Sequence, residues 1–395
     1  MHLKTILFNS KIHSKVWFVF LFSLVFFNST SCKKEVSLEK NEPVNIAFKS
    51  LVKHAKGFDI QVFEGYKKLI IKSPYPNAEN AQEFILIPKN NSAISDQKNI
   101  NSIYIPLTKI VATSTTHIPM LEFIGEENSL IGFPNTNYIS SKKTTALIKN
   151  GFVKDIGSEQ DFNTEVLLSL QPDAVIGFTM GNTTKMYNLI TKNGIPVIFN
   201  GEWLEETPLG RAEWIKLFGV LFDKDQMADS IFTSIETNYL QAIEIAKNTE
   251  NIPTIMTGIL YKDKWNLPAG ESFTAKLFKD ANTNYLWKNT SGQGSLVLSF
   301  ESVLDKAKTA DFWLGAGYFT SYNELEKGNI HYTKFNAFQN RKVYTFSKKR
   351  GENGGVLFFE LAPMQPDLVL QDIIKIVHPE LLPDYEPFFL EKLDL

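Results

Sequence analysis

Two glutamates occupy matching places in the two halves of the chain. Glu165 stands two residues after Asn163, and Glu301 stands two residues after Ser299. Asn and Ser both favour the position that caps the start of a helix. A carboxylate in the first turn of a helix is stabilised by the helix dipole, by about 0.3–1 kcal/mol, so a structural role is sufficient to explain each glutamate. The alternative is that the two carboxylates, on matching outer surfaces, form a two-point electrostatic docking site for a partner.

A second group of candidate residues follows the predicted strands. In α/β proteins, ligands meet the loops at the carboxyl ends of strands, because helix N-termini and free backbone groups converge there. The segment TSTTH, which ends at His117, offers hydroxyl and N–H groups to an anion or a carbonyl, or merely caps a helix. Aromatic side chains offer stacking to a flat ligand, and Arg350 offers a bidentate contact to an anion, whereas Lys348 and Lys349 are equally well explained as solvated charges. The candidate ligand-binding residues are Thr115, His117, Tyr138, Thr179, Met180, Trp203, Trp265, Tyr318 and Arg350.

The residues that usually carry catalysis are missing from the sequence. His54, His117, His331 and His378 are widely scattered, so no pair has the spacing of metal ligands on a helix. The chain has no HExxH motif, no GxSxG nucleophile elbow and no Walker-type phosphate loop. GENGG, which begins at Gly351, is a weak phosphate-loop pattern and a plausible turn. The sequence therefore predicts a protein that is not an enzyme and that has no catalytic residue, metal site or cofactor of its own.

The single cysteine, Cys32, follows a segment with the layout of an export signal. Lysines precede an apolar run from Val16 to Phe27, and small residues precede Cys32. This run of 12 residues is short for a membrane span, which needs about 20. We therefore predict a lipoprotein signal peptide over residues 1–31 and lipidation of Cys32. Ser29 departs from the leucine usual at that position, and ordinary secretion with a free thiol is the alternative.

The remaining chain changes its pattern several times. The polar residues 32–43 are typical of a tether, and FDIQVF, KLIIKS, EFILIP and SIYIPL predict antiparallel hairpins. After Pro106, short apolar strands alternate with helical stretches, which indicates parallel α/β sheets. Asp223–Asn248 lacks Gly and Pro and predicts a bridging helix, and a final long helix is predicted from Gly355 to Val377. The predicted domains are an N-terminal α/β lobe over 44–222, the bridging helix over 223–249 and a C-terminal α/β lobe over 250–395.

Composition excludes some classes of partner. The formal net charge of −2 and the pI near 6.4 give no support for nucleic-acid binding, which normally shows a basic domain or stripe. Aromatic residues make up 13% of the chain, more than a core alone demands, so some rings are expected to line a ligand site. Because Cys32 is the sole cysteine, the exported part must fold without disulfides, and its length permits a core large enough for that.

Three tracts carry a resemblance to a known family. They are TKIVATSTTHIPMLEFIG from Thr108, ETPLGRAEWIKLFG from Glu206 and MQPDLVLQDIIKIVHPELLP from Met364. They are similar to tracts in Bacteroidetes members of the periplasmic substrate-binding proteins of iron-siderophore and cobalamin ABC importers. The resemblance runs from about Thr108 to Leu395. It implies two α/β lobes joined by one rather rigid helix, with the ligand clamped between them.

The same resemblance implies a function and partners. In this family a glutamate at this helix start in each lobe pairs with arginines of the membrane permease, and these positions carry over to Glu165 and Glu301. The implied protein is a monomeric, lipid-anchored periplasmic receptor that passes a ferric siderophore or related metal chelate to a permease and its ATPase. Iron or cobalt would enter only within the chelate. The alternatives are a cobalamin or haem receptor of the same family and a cell-surface capture lipoprotein without a permease.

Overall fold

Short strands and helices alternate along most of the chain. The computed structural model describes residues 50–90, 101–158, 161–181 and 183–395, so the predicted signal peptide, Cys32 and the tether lie outside the described residues. The strands are β1 (Phe58–Phe63), β2 (Tyr66–Ile71), β3 (Gln82–Pro88), β4 (Ser102–Ile105), β5 (Ile110–Ala112), β6 (Leu130–Phe133), β7 (Lys154–Asp155), β8 (Gly157–Ser158), β9 (Asp161–Phe162), β10 (Ala174–Gly177), β11 (Val197–Phe199), β12 (Thr254–Met256), β13 (Ile259–Tyr261), β14 (Lys264–Pro268), β15 (Asn284–Tyr285), β16 (Ser295–Leu298), β17 (Phe312–Leu314), β18 (Val343–Thr345) and β19 (Glu391–Lys392). The α-helices are α1 (His117–Phe123), α2 (Lys142–Lys149), α3 (Thr164–Leu170), α4 (Thr184–Lys192), α5 (Pro208–Ala212), α6 (Ile215–Leu221), α7 (Asp225–Ala246), α8 (Phe273–Asp280), α9 (Phe300–Ala307), α10 (Tyr322–Gly328), α11 (Asn336–Gln339), α12 (Leu357–Leu361) and α13 (Pro366–Val377).

The first described strands form a sheet of their own in the order β1-β2-β3-β4. The predicted hairpins are present, because β1 pairs antiparallel with β2 and β2 with β3. The last pair differs from the prediction, since β4 runs parallel to β3. A parallel pair needs a crossover of about a dozen residues or more, and the connection from Lys89 to Asn101 is long enough to provide it.

Two further sheets follow the α/β alternation of the sequence. The first has the order β11-β10-β5-β6-β7 with parallel pairing. The second has the order β15-β12-β17-β18-β19, parallel except for β19 at its edge. The inner strands β5, β10 and β17 are buried at every position, as expected where helices cover both faces of a parallel sheet. A small antiparallel sheet, β13-β14-β16, accompanies the second series.

Each large sheet is secured by an aspartate at the start of an inner strand. Asp173, just before β10, accepts hydrogen bonds from the Thr108 N–H at 2.7 Å and the Thr108 hydroxyl at 2.9 Å. Asp311, just before β17, accepts the same pair of bonds from Thr254, at 2.8 and 2.6 Å. Burial alone would raise the pKa of Asp173, but these hydrogen bonds lower it overall. The two halves therefore share a local plan beyond the helix starts.

The helix α7 connects the two series. The pattern from Asp223 to Asn248 predicts this helix to within two residues at each end, and its 22 residues span about 33 Å. It packs against α6 from the first half and α13 from the second. Phe48–Leu395 forms one compact unit, and its division into lobes at α7 remains our proposal.

The final helix is interrupted, which corrects the prediction of one helix from Gly355 to Val377. The segment consists of α12, a 3-10 turn over Ala362–Met364, and α13. Pro363 and Pro366 explain the interruption, because proline has no N–H to donate and its ring clashes with the preceding turn of a helix. The break leaves α12 free to follow a different direction from α13.

Candidate functional site

A cavity of about 740 Å³ lies at the meeting point of segments from both halves of the chain. This volume is within the range of about 300–1,000 Å³ that is common for small-molecule sites. Trp203–Arg211 contributes from the first half, before α7. The residues after α7 that line it are Thr257, Gly258, Ile259, Asn266, Leu267, Pro268, Ser272, Phe273, Thr274, Leu277, Phe278, Gln293, Gly294, Ser295, Leu314, Gly315, Gly317, Phe346, Phe358, Phe359, Ala362, Pro363, Pro366, Val369, Ile373 and Leu390.

Aromatic rings form much of the cavity wall. Phe346 and Phe358 are stacked with ring centres 4.8 Å apart, and Phe359 meets Phe346 edge-on at 5.2 Å. Phe358 and Phe359 are adjacent in α12, and the interruption after this helix lets them face the loop that follows β18. Phe359 keeps 45% of its surface exposed. A wall of this kind suits a ligand with a broad apolar face.

The cationic group in the cavity wall is already neutralised. Arg211 in α5 binds Glu202 through two nitrogens, at 2.7 and 2.8 Å, and its guanidinium lies 4.4 Å from the centre of the Phe273 ring. The side chains of Arg211 and Glu202 are only 11% and 3% exposed. Because the pair is buried and bonded internally, it adds no net charge to the cavity.

Trp203 is the predicted ligand-binding residue that the structure places in the cavity wall. It lies in a 3-10 turn over Glu202–Leu204, and its ring centre is 5.6 Å from that of Phe178. Its buried Nε1 has no hydrogen-bond partner among the described residues. Trp203 therefore combines apolar contact area with an unused buried donor.

The other predicted residues of the first half lie away from this wall. His117 is fully buried at the start of α1, where burial lowers the pKa of its imidazole to about 3, and neither ring nitrogen has a partner among the described residues. Thr115 is partly buried beside it. Thr179 is buried, and its hydroxyl bonds to that of Thr183 at 2.7 Å. Met180 is 66% exposed and is not part of the cavity lining.

The predicted residues of the second half are also displaced from the cavity. Trp265 is a core residue with no exposed surface, and its Nε1 donates to the Thr257 carbonyl at 3.0 Å. The reason is that β14 belongs to the small antiparallel sheet, which directs this ring onto Trp313 at 5.5 Å. Tyr318 is 65% exposed and lies 6.1 Å from Phe359, so it is near the cavity without lining it.

Arg350 and Tyr138 lie at a contact between the two halves. Arg350 donates to the carbonyls of Ser347 and Gly354, at 2.9 and 3.2 Å, which fixes its side chain to its own loop. The following GENGG turn packs on the first half, since a Cβ at Gly355 would lie 2.6 Å from the Tyr138 carbonyl oxygen. These glycines therefore allow a close backbone contact. The Tyr138 side chain is 55% exposed.

The two glutamates of the repeated helix start have the local setting that the sequence predicts. Glu165 lies in the first turn of α3, where the Asn163 side chain accepts the Val166 N–H, and Glu301 lies in the first turn of α9, where Ser299 accepts the Ser302 N–H. Both glutamates are exposed. Neither forms an ion pair with any described residue, so both carboxylates are accessible to a partner.

Several cavity residues have no clear signal in the sequence. Arg211 sits in the tract ETPLGRAEWIKLFG without any neighbouring motif that marks it, and Phe346 and Phe358 sit within apolar runs like those of any core. The pair Phe358-Phe359 shortly after the GENGG turn is the one local signal, since both rings line the cavity.

The sheets and the cavity define a class of protein, namely an α/β protein that encloses a small-molecule site beside a single long connecting helix. A family model described as periplasmic binding protein matches residues 110–350, and the chain belongs to this family. Its fold is that of solved periplasmic binding proteins, which confirms the predicted fold class. The family is one of solute-binding proteins. The predicted similarity to Bacteroidetes members of the family is not tested by these matches and stays a prediction.

Similar proteins are known in archaea and bacteria. An uncharacterized lipoprotein of Methanocaldococcus jannaschii is 26% identical over 328 residues, which are 80% of this chain and 77% of the relative. A possible iron-binding periplasmic solute-binding protein from Staphylococcus epidermidis superposes with a TM-score of 0.55 at 15% identity, covering 69% of this chain and 100% of that one. A periplasmic heme binding protein from Pseudomonas aeruginosa superposes with a TM-score of 0.55 at 15% identity, covering 73% of this chain and 99% of that one. At this identity the likeness shows the fold alone.

Proposed function

We propose that this protein binds a metal chelate in the aromatic cavity and delivers it to the permease of an ABC importer. The observation that carries the proposal is the aromatic cavity at the junction of the two halves, in a chain of the periplasmic binding protein family. The iron-binding and heme-binding names of structurally similar proteins support the class of ligand. The metal would arrive within the chelate, and no group of three or more potential ligands among the described residues could hold a bare ion.

The cavity lining favours a chelate with a broad apolar face and an uncharged edge, such as a corrinoid, over an anionic ferric siderophore. Haem shares the broad apolar face but carries two carboxylates. An anionic ligand needs unpaired cations, and Arg211 is the one lysine or arginine among the described lining residues. The positive charge of Arg211 is paired with the carboxylate of Glu202. Lys348 pairs with Asp394 at 2.6 Å, and Arg350 is bonded within its own loop, so the basic loop after β18 does not serve the cavity.

The test is tryptophan fluorescence of the segment that follows Cys32, titrated with a ferric siderophore, cobalamin and haem. We expect haem or cobalamin to quench the fluorescence, with Trp203 as the main reporter because it lines the cavity. Trp203→Phe should remove more of the quenching than replacement of a tryptophan outside the cavity lining. Trp287→Phe is the matched control, since Trp287 is buried outside the cavity lining. Equal quenching in the two variants, or none of the three ligands binding, would contradict the proposal.

We also propose that the protein is attached to a membrane through lipid on Cys32. The support is the signal-like segment before Cys32 and the lipoprotein name of the M. jannaschii relative. None of the helices in the described ranges combines the length and the apolar character of a membrane span. Cells that express the full chain should incorporate labelled palmitate into it, and Cys32→Ser should abolish the incorporation. Persistent labelling of that variant would refute lipidation at this residue. The second candidate function is capture of a ligand at the cell surface without a permease.

A further inference from the structure

A second, smaller cavity adjoins the first. Its volume is about 300 Å³, and Leu204, Glu205 and Gln293 line both cavities. A ligand in the first cavity is therefore separated from the second by a wall of three residues at most.

The outer wall of the second cavity comes from a part of the chain that the family model does not cover. Lys56, Gly57, Ser73, Tyr75, Pro76 and Asn77 line it, and they precede the matched residues 110–350. Ser73–Asn77 follows β2, so the four-stranded sheet supplies this wall. The second cavity therefore depends on a segment outside the residues that the family model matches.

Hydrogen bonds hold this added wall firmly against the first cavity. Glu205 is buried and accepts the N–H groups of Lys56 at 3.0 Å and Gly57 at 2.8 Å, together with the Nε1 of Trp214 at 2.9 Å. Ser73 also makes a close backbone approach, because a Cβ at Gly201 would lie 2.3 Å from its carbonyl oxygen. A wall held in this way needs little ordering when a ligand binds.

The second cavity carries one ion pair and one buried carboxylate, that of Glu205, which has no cationic partner among the described residues. Lys56 and Glu206 form an ion pair at 2.7 Å, and the Gln293 side chain donates to Glu206 as well. The bond to Glu206 raises the pKa of Lys56, so the lysine keeps its charge. The carboxylate of Glu205 already accepts hydrogen bonds from the N–H groups described above. Ser73 and Asn77 add a hydroxyl and a carboxamide to the lining. Such a surface favours an uncharged polar group over an anion or a hydrocarbon.

We propose that the second cavity receives an uncharged hydrogen-bonding arm of the ligand, a carboxamide or a hydroxyl, while the apolar body of the ligand occupies the first cavity. This inference rests on the proposed function, because it requires a ligand in the first cavity. The four-stranded sheet is then a specificity element, which selects among ligands with similar apolar bodies by the polar groups at their edge.

The experiment compares two metal macrocycles that carry different polar groups at the edge. Dicyanocobinamide carries carboxamide arms, whereas hemin carries carboxylates. We expect the wild-type segment after Cys32 to bind dicyanocobinamide more tightly than hemin. Ser73→Phe fills the second cavity and should weaken dicyanocobinamide binding roughly tenfold, the loss of one or two hydrogen bonds, with hemin binding nearly unchanged. Retained hemin binding also shows that the variant folds.

Two further variants complete the design. Gln293→Leu removes an amide from the shared wall at similar size and should also act on dicyanocobinamide more than on hemin. Ser169→Phe makes the same exchange as Ser73→Phe on the exposed side of α3 and should change neither affinity. Hemin binding as tightly as dicyanocobinamide, or Ser73→Phe and Gln293→Leu each weakening both equally, would overturn the inference and leave the proposed function standing. Failure of the wild type to bind either macrocycle would count against both.

Discussion

Buried carboxylates in this chain take hydrogen bonds from backbone N–H groups of distant segments. Glu205 accepts hydrogen bonds from the N–H groups of Lys56 and Gly57, and Glu360 accepts them from Ser140 and Ser141. Asp372 does the same for the chain from Phe388 to Leu390. None of these three carboxylates forms an ion pair with a described residue. Each one fixes a loop without a disulfide, which suits a chain whose one cysteine is Cys32.

Glu360 should make the stability of the protein depend on pH. Burial raises the pKa of its carboxyl to about 7, against the N–H bonds from Ser140 and Ser141 and with a further rise from Glu122. Because the folded pKa exceeds the ordinary value of 4.5, the contribution of Glu360 to stability is fully present below pH 4.5 and is lost as pH rises through about 7. The free energy of unfolding should fall by up to about 3 kcal/mol over this window from Glu360 alone.

Denaturant unfolding at pH 4.5 and pH 8 measures this effect. Glu360→Gln cannot titrate, so its free energy of unfolding should fall less than that of the wild type between these two pH values. Burial also raises the pKa values of Asp367 and Asp372, and these contributions persist in both proteins. The same fall in the wild type and in Glu360→Gln would show that Glu360 does not titrate in this range.

Single residues were predictable from the sequence where the interaction is local. The caps Asn163 and Ser299 and the exposed glutamates after them depend on neighbours within one helical turn. Trp203, which the sequence predicts to bind the ligand, lies in the cavity wall, and its ligand-binding role stays a prediction. Trp265 looked similar in the sequence, but its burial depends on Trp313 and Leu298, which are distant along the chain. The sequence has no feature that distinguishes these two tryptophans.

The strands and helices repeat one plan in the two halves. In each half an aspartate before an inner strand binds a threonine at the start of the neighbouring strand, Asp173 with Thr108 and Asp311 with Thr254. In each half, this aspartate therefore ties the end of the helix that precedes it to the strands at the centre of the sheet. The shared plan also explains why the two similar passages were visible in the sequence.

This repetition predicts equal effects of matched substitutions. Asp173→Ala and Asp311→Ala should each lower the free energy of unfolding by about 1–2 kcal/mol, because each removes a pair of charge-assisted hydrogen bonds. Asp305→Ala, at an exposed position on α9, is the control and should change little. Thermal and denaturant unfolding measure the three values. A neutral Asp311→Ala beside a costly Asp173→Ala would mean that the second contact has no energetic role.

Elements were predicted well where the pattern is continuous and less well where it is broken. The helix α7 has an uninterrupted periodicity and no proline, so its bounds were predicted closely. The last helical segment has a similar periodicity, but Pro363 and Pro366 divide it into α12, a 3-10 turn and α13. The parallel pairing of β3 and β4 could not be predicted, because strand direction depends on the path of the connection between them.

At the scale of the whole molecule, Glu165 and Glu301 are proposed to dock the protein on its permease. Alanine at both positions should leave ligand affinity intact and abolish uptake, since the two carboxylates are exposed and lie outside the cavity lining. Paired ligand titration and cellular uptake measure the two effects. The matched control replaces Glu250 and Glu326. Both are exposed, and neither lies in the first turn of α3 or α9. Normal uptake by Glu165→Ala/Glu301→Ala would remove the docking role.

A protein with one docking glutamate in each half can meet a twofold-symmetric partner in two orientations related by a half-turn. Both orientations satisfy the same pair of contacts, so the glutamates set the spacing of the complex but not its direction. Among the described residues, the four-stranded sheet from Phe58 to Ile105 has no equivalent in the second half. It makes the two halves of the molecule different, so only a partner whose own two halves differ where they touch this sheet would select one of the two orientations.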